Sequence, residues 1–92
     1  MFYVYIMRTT GNTLYTGQTN NLKRRVREHS FRGKRGSKYL QSFLGSKLVY
    51  YETYPTRSEA MHREAELKKL SHDKKEALVK QSHAPLAEFN VE

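Results

Sequence analysis

The first stretch of the chain, Phe2 to Met7 (FYVYIM), is apolar at every position and rich in aromatic and β-branched side chains. A strand with one wet face alternates; one that does not has both faces covered, so this run predicts a central strand. Thr9 to Thr13 (TTGNT) carries turn chemistry, and Leu14 to Thr19 returns as a second strand to complete a hairpin. The period then changes. Asn20 or Asn21 can cap a helix reaching about Ser30, with Leu22 and Val26 four residues apart on its inner face. Glycines among basic residues make Phe31 to Ser37 a loop able to close over a polyanion, and Ser37 to Leu44 is expected as a short helix. Lys47 to Tyr54 (KLVYYETY) reads as a third strand, bulky at both parities and stopped by Pro55. Arg57 to Leu70 and Asp73 to Lys80 read as helices, the second with capping-box spacing between Asp73 and Glu76. The expected organisation is one domain over residues 1–81 and a loosely held tail over 82–92, with no internal repeat.

Composition narrows the chemistry. Ninety-two residues support one small core, and the absence of cysteine excludes both a disulfide framework and a thiolate zinc site. The apolar N-terminal run has no basic segment before it and is too short to span a bilayer, which leads to the expectation of an unprocessed cytoplasmic protein. The formal charge is +8, and it is concentrated. Lys23, Arg24, Arg25, Arg27, Arg32, Lys34, Arg35 and Lys38 face the single acid Glu28 in that segment, a net of +7. Such a cluster suits nucleic acid, because each phosphate neutralised releases condensed counterions. A merely solubilising face fits the charge equally well. A membrane surface fits worse, for want of an apolar face beside the basic one.

Three constellations could carry a reaction. On the helix from Arg57, Ala60, Met61, Ala65, Leu67 and Leu70 form an apolar arc, and Glu64 falls near its middle. A carboxylate facing the protein needs a cationic partner or a metal, since burial alone would cost several kcal/mol or shift its pKa. An ordinary pairing with Arg or Lys at the rim of the core satisfies the same spacing. Arg25 and His29, four residues apart, share one face of the first helix beside its inward stripe. The arginine offers a planar fork of donors for phosphate and the histidine a titratable nitrogen, although a surface couple has the same spacing. Tyr5 and Tyr15 sit on neighbouring strands, where most tyrosines simply pack. A two-residue turn at Gly11-Asn12 would put them on opposite faces. A three-residue loop of Thr9, Thr10 and Gly11, with Gly11 left-handed, pairs Arg8 with Asn12 and sets Tyr5 opposite Tyr15, and this odd-length loop is the expectation.

Taken in order, these residues resemble the GIY-YIG nuclease domain, over about residues 2 to 80. Tyr3-Val4-Tyr5 stands for the first motif and Tyr15-Thr16-Gly17 for the second, Arg25 and His29 match the helix that follows, and Glu64 matches the metal-binding glutamate. The stretch TGNTLYTGQTNNLKRRVREH is similar to the small stand-alone bacterial members, relatives of the nuclease domain found at the N-terminus of an excinuclease. Tyr3 replaces the first glycine and Thr16 the second isoleucine, while Gln18 stands where excinucleases tend to carry lysine. The resemblance implies an α+β fold with a small three-stranded antiparallel sheet flanked by helices. It also implies hydrolysis of nucleic-acid phosphodiesters, DNA favoured over RNA, in a repair setting with one Mg²⁺ or Mn²⁺ ion held by Glu64. Arg25 would stabilise charge on the phosphate, Tyr15 in preference to Tyr5, or else His29, would take the proton of water, and Gly17 would let the chain pass close to substrate. The competing expectation is a binding module of the same fold that does not cut. A ribosomal or other RNA-binding protein would need more exposed aromatics than Phe31 and Tyr39 supply. No oligomeric state is read from the sequence.

Overall fold

The computed structural model describes residues 1–9, 11–30, 46–82 and 86, with the backbone alone for His29 and Ser30. The loop expected over 31–37, the helix expected over 37–44, and the basic residues Arg32, Lys34, Arg35 and Lys38 lie outside the described residues. The two-sided burial demanded by FYVYIM is met by placing β1 (Phe2–Arg8) in the middle of a three-stranded antiparallel sheet, between β2 (Leu14–Thr19) and β3 (Lys47–Tyr54). Helix α1 (Leu22–Ser30) follows β2, and α2 (Arg57–Lys68) and α3 (His72–Gln81) follow β3. The fold is α+β, with helices on both faces of the sheet.

Alternate residues of β1 feed two different cores. Tyr5 and Met7 pack with Leu22 and Val26 of α1 and with Leu48, while Tyr3, Tyr15 and Tyr51 border this cluster. On the other face Val4 packs with Ala60 and Leu67 of α2, joined by Phe2, Tyr50, Tyr54, Leu70 and Leu78. Full burial of each leucine or valine in these layers contributes ~1.5–3 kcal/mol. The bulky residues at both parities of β3 are explained by a register shift between Ile6 and Met7: Ile6 pairs with Tyr50 but Met7 with Leu48. Val49 is the extra residue of a β-bulge, and it moves Leu48 to the α1 face while Tyr50 stays on the α2 face.

The hairpin departs from expectation by two residues. Thr9 N–H donates to Thr13 O and Asn12 N–H to Thr9 O, each at 2.9 Å, so the loop closes between Thr9 and Thr13. Asn12, at φ 66°, takes the left-handed position expected of Gly11, which asparagine tolerates better than most residues. The loop is odd in length, as expected, but Arg8 pairs with Leu14 and not with Asn12. Its side chain holds the turn instead, donating to Asn12 Oδ1 at 2.6 Å.

Helix boundaries follow their caps. Asn21 caps α1, accepting from Arg24 N–H at 3.0 Å. Thr56 caps α2 through Glu59 N–H at 3.2 Å. Helix α3 is capped by Ser71, which accepts from Lys74 N–H, so the helix starts before Asp73 and the expected capping box is not its N-terminus. In the tail, expected to be loosely held, Leu86 packs against the α1-side core. Among the described residues no helix is long and apolar enough to cross a membrane.

Candidate functional site

The register decides what the two tyrosines and the glycine do. Tyr5 lies opposite Gly17, and Tyr15 opposite Met7, so Tyr15 is the diagonal neighbour of Tyr5 and not its direct partner. Both still share a face because the loop is odd. Their ring centroids are 6.3 Å apart with the planes inclined at 49°. A Cβ at Gly17 would fall 2.5 Å from Tyr5 Oη and 2.7 Å from Cζ, so the missing side chain is the space in which the Tyr5 ring lies. Tyr5 is 0 % exposed and Tyr15 partly exposed, leaving Tyr15 the phenol nearer solvent.

Helix α1 packs on the same layer through Leu22 and Val26 and carries the basic side chains. Arg25 is partly buried beside Val26, and its Nε lies 3.6 Å from Glu28 Oε1; Arg24 Nε lies 3.8 Å from Glu28 Oε2. Lys23 and Arg27 are exposed on the outer side of the helix. The α1 backbone sets His29 one turn beyond Arg25, and its side chain is outside the described residues. Where β2 ends and α1 and α2 begin, a cavity of about 150 Å³ opens, lined by Gln18, Thr19, Asn20, Arg24, Arg25 and Arg57 with Phe2. Arg57 was not foreseen: its approach to Arg24 and Arg25 depends on how α2 crosses the sheet.

Glu64 occupies the stripe between Ala60 and Leu67 on the inward side of α2, 21 % exposed, with its carboxylate 3.1 Å from Lys68 Nζ. Met61 and Ala65, expected in the apolar arc, are exposed, so the inward stripe is narrower than the sequence suggests. Glu64 belongs to the α2 layer, whereas the phenols belong to the α1 layer. A ligand engaging both has to span the edge of the sheet at β2, the strand beside which α2 passes. Among the described residues no three His, Cys, Asp or Glu side chains cluster to hold a metal. A lone carboxylate still suits a hard divalent ion of the Mg²⁺ type, which keeps several waters and takes one or two protein carboxylates with phosphate oxygens.

Sequence reasoning missed a network on the α2 face. Glu52, 18 % exposed on its side chain, accepts from Tyr50 Oη, from Tyr54 Oη at 2.5 Å, and from Arg63 Nε at 3.0 Å; Arg63 Nη1 also meets Glu66 at 3.1 Å. Burial pulls the Glu52 carboxyl up, but the donors from Arg63, Tyr50 and Tyr54 outweigh it and leave the pKa below its ordinary value. Burial first, and then the bond to Glu52, push both tyrosines up to about 12. The signal was present in Tyr50-Tyr51-Glu52-Thr53-Tyr54, where period 2 puts an acid between two phenols on one face. A second clamp joins α3 to β1: Arg8 meets both oxygens of Glu76 at 2.7 Å, and His72 Nε2 lies 3.1 Å from the same carboxylate. Among the described residues no member of either network lines the arginine-lined cavity.

Comparison with known proteins identifies the family. Residues 1–77 match the GIY-YIG catalytic domain. A UPF0213 protein of Natronomonas pharaonis is 46% identical over 77 residues, covering 84% of this chain and 88% of its own. One from Syntrophus aciditrophicus is 44% identical over 80 residues, covering 87% and 91%. One from Clostridium perfringens is 39% identical over 92 residues, covering 100% and 95%. The solution NMR structure of a UPF0213 protein from Bacillus halodurans superposes with a TM-score of 0.57 at 37% identity, over 92% of this chain and 89% of that one. With the family match covering residues 1–77 and relatives aligned over most of both lengths, the chain belongs to the GIY-YIG family, among its small UPF0213 members.

Proposed function

We propose that this protein is a divalent-metal-dependent endonuclease that hydrolyses phosphodiester bonds of nucleic acid, DNA in preference to RNA, directed by structure and not by sequence. The observation that carries the reading is the pair of phenols on one face of the hairpin, Tyr5 lying over Gly17 and the Tyr15 ring 6.3 Å from it, in the layer that α1, the helix bearing Arg25, also covers. In this reading Tyr15 takes the proton of the attacking water, since Tyr5 is sealed in the core. Its phenol is a poor base at an ordinary pKa of ~10, so the arginines of α1 have to favour the phenolate. His29, one turn beyond Arg25, is the alternative acceptor or a relay. As the water oxygen bonds to phosphorus and the bond to the leaving oxygen breaks, Arg25 stabilises the charge on the phosphate. Glu64 would hold the divalent ion, Mg²⁺ or Mn²⁺. Such an ion, when bound, neutralises charge on the phosphate and the leaving oxygen. Lys23, Arg24 and Arg27, with Arg32, Lys34, Arg35 and Lys38, engage flanking phosphates. A cytoplasmic role in DNA repair is the setting this activity suits.

One observation favours a second reading, a nucleic-acid binding module that does not cut: Glu64 already has a cationic partner in Lys68 and lies in a different layer from the phenols. Branched and single-stranded DNA and RNA, incubated with Mg²⁺ or Mn²⁺ and with wild type or Glu64→Ala, separate the two. The nuclease reading expects cleavage by wild type alone, with binding retained in the variant. Equal cleavage by both proteins rejects it, and binding without cleavage by either establishes the second.

A further inference from the structure

Three arginines, Arg24, Arg25 and Arg57, line the cavity at the end of β2, together with Gln18, Thr19 and Asn20. Among the described residues no lining residue is acidic. Among the described residues these arginines pair with one carboxylate, Glu28, which stands 3.6 Å and 3.8 Å from the Nε atoms of Arg25 and Arg24, beyond good hydrogen-bond distance of either. Counted over the described residues, the cluster therefore keeps two positive charges in excess. Among the described residues Arg57 makes no ion pair and no side-chain hydrogen bond. Like charges gathered on one small cavity favour an anion there, and the fork geometry of a guanidinium matches the oxygens of a phosphate. At about 150 Å³ the cavity is half the ~300 Å³ at which pockets for whole small molecules begin, so it suits one phosphate group and not a nucleotide. Its walls come from the ends of two strands and the starts of two helices, which fixes the arginine backbones before any ligand arrives.

We propose that this cavity is a second phosphate subsite, which seats an internal phosphate of the substrate strand beside the scissile one and uses Arg57 as its grip from α2. The placement beside the scissile phosphate rests on the nuclease reading of Arg25; the binding itself does not. Arg57 and Arg24 hold the seated phosphate, with the partly buried Arg25 on the same cavity.

Fluorescence anisotropy of labelled single-stranded DNA in EDTA, where nothing is cut, provides the test. Arg57→Gln is expected to weaken binding about tenfold on every sequence alike and to reduce the salt slope by ~0.7. Arg24→Gln, on the facing wall, is expected to act in the same direction. Neutral methylphosphonates scanned along the strand should locate one position whose penalty is present in wild type and absent in Arg57→Gln. Arg57 is exposed and unpaired among the described residues, so the variant should melt as wild type does. Unchanged affinity and slope in Arg57→Gln, or a methylphosphonate profile that the substitution does not alter, would overturn the proposal. So would a flat profile combined with an affinity gain from a 5′-terminal phosphate that Arg57→Gln abolishes, which would assign the cavity to strand ends. Cleavage is scored separately in Mg²⁺: binding through Arg57 without cleavage defeats the nuclease reading and leaves the subsite standing, and cleavage with unaltered Arg57→Gln binding does the reverse.

Discussion

Gly17→Ala tests why this strand carries a glycine. The added methyl carbon would lie 2.5 Å from Tyr5 Oη, 2.7 Å from Cζ and 3.2 Å from Cε2, where carbon contacts ordinarily settle at ~3.5–4.0 Å. The ring has to retreat by about 1 Å. It has little freedom to do so, because Tyr5 is fully buried and packed with Leu22 and Val26 of α1. Overpacking of a well-filled core costs ~1–3 kcal/mol. For a domain of this size each kcal/mol lowers the melting temperature by ~4–8 °C, so Gly17→Ala should melt ~4–24 °C below wild type. Tyr5→Phe brings no relief, since Cζ remains in the way. Tyr5→Leu removes the ring, and its cost should shrink in the Gly17→Ala background, giving a coupling of at least ~1 kcal/mol in a double-mutant cycle. Urea unfolding of the four proteins measures it. Additivity within ~0.5 kcal/mol, or an unperturbed Gly17→Ala, refutes the interlock. If Gly17 instead serves only the approach of substrate, the variant folds like wild type and loses binding alone.

Further outcomes follow from the two clamps. The bond from Arg8 holds the Glu76 carboxyl down at about 2, against an ordinary value of 4.5. Its stabilisation is therefore complete above pH 4.5 and lost as pH falls through 2. Glu76→Gln should melt below wild type at pH 7, with the gap closing toward pH 2; a gap independent of pH refutes the linkage. Two of the seven tyrosines should ionise near pH 12 in a spectrophotometric titration, and Glu52→Gln should bring them part of the way back, burial retaining the remainder. The same substitution weakens the hold of α2 on β3, at a cost of ~1–3 kcal/mol in urea unfolding. An unchanged titration would dissociate Tyr50 and Tyr54 from Glu52.

The elements were legible because composition speaks to local environment. The apolar run of β1 announces coverage on both faces, and β2 and β3 begin and end where their pattern does. Register was not, because it turns on which single loop residue becomes left-handed. Glycine is the better candidate by propensity, yet Asn12 takes the position, with its side chain fastened by Arg8. Nor was the bulge, because KLVYYETY satisfies either face and only the demand of the α1 core for Leu48 decides the matter. At the candidate site, residues close in sequence were read more securely than distant ones. The Tyr5–Tyr15 neighbourhood follows from one hairpin, whereas the meeting of Arg57 with Arg24 and Arg25, and the layer to which Glu64 belongs, follow from how α2 crosses the sheet. Helical period alone reveals an inward carboxylate but not its partner, here Lys68 one turn away.

The bulge at Val49 reaches further than its own pairing. Because it lets a single strand supply Leu48 to one core and Tyr50 to the other, while β1 alternates between them, the two hydrophobic layers are tied through shared backbone. Neither half of so small a chain can come apart while its counterpart stays folded, so loss of the phenol layer and loss of the glutamate layer are one cooperative event. An ageing or heated population would then hold only whole molecules and inert ones, with no half-assembled site among them.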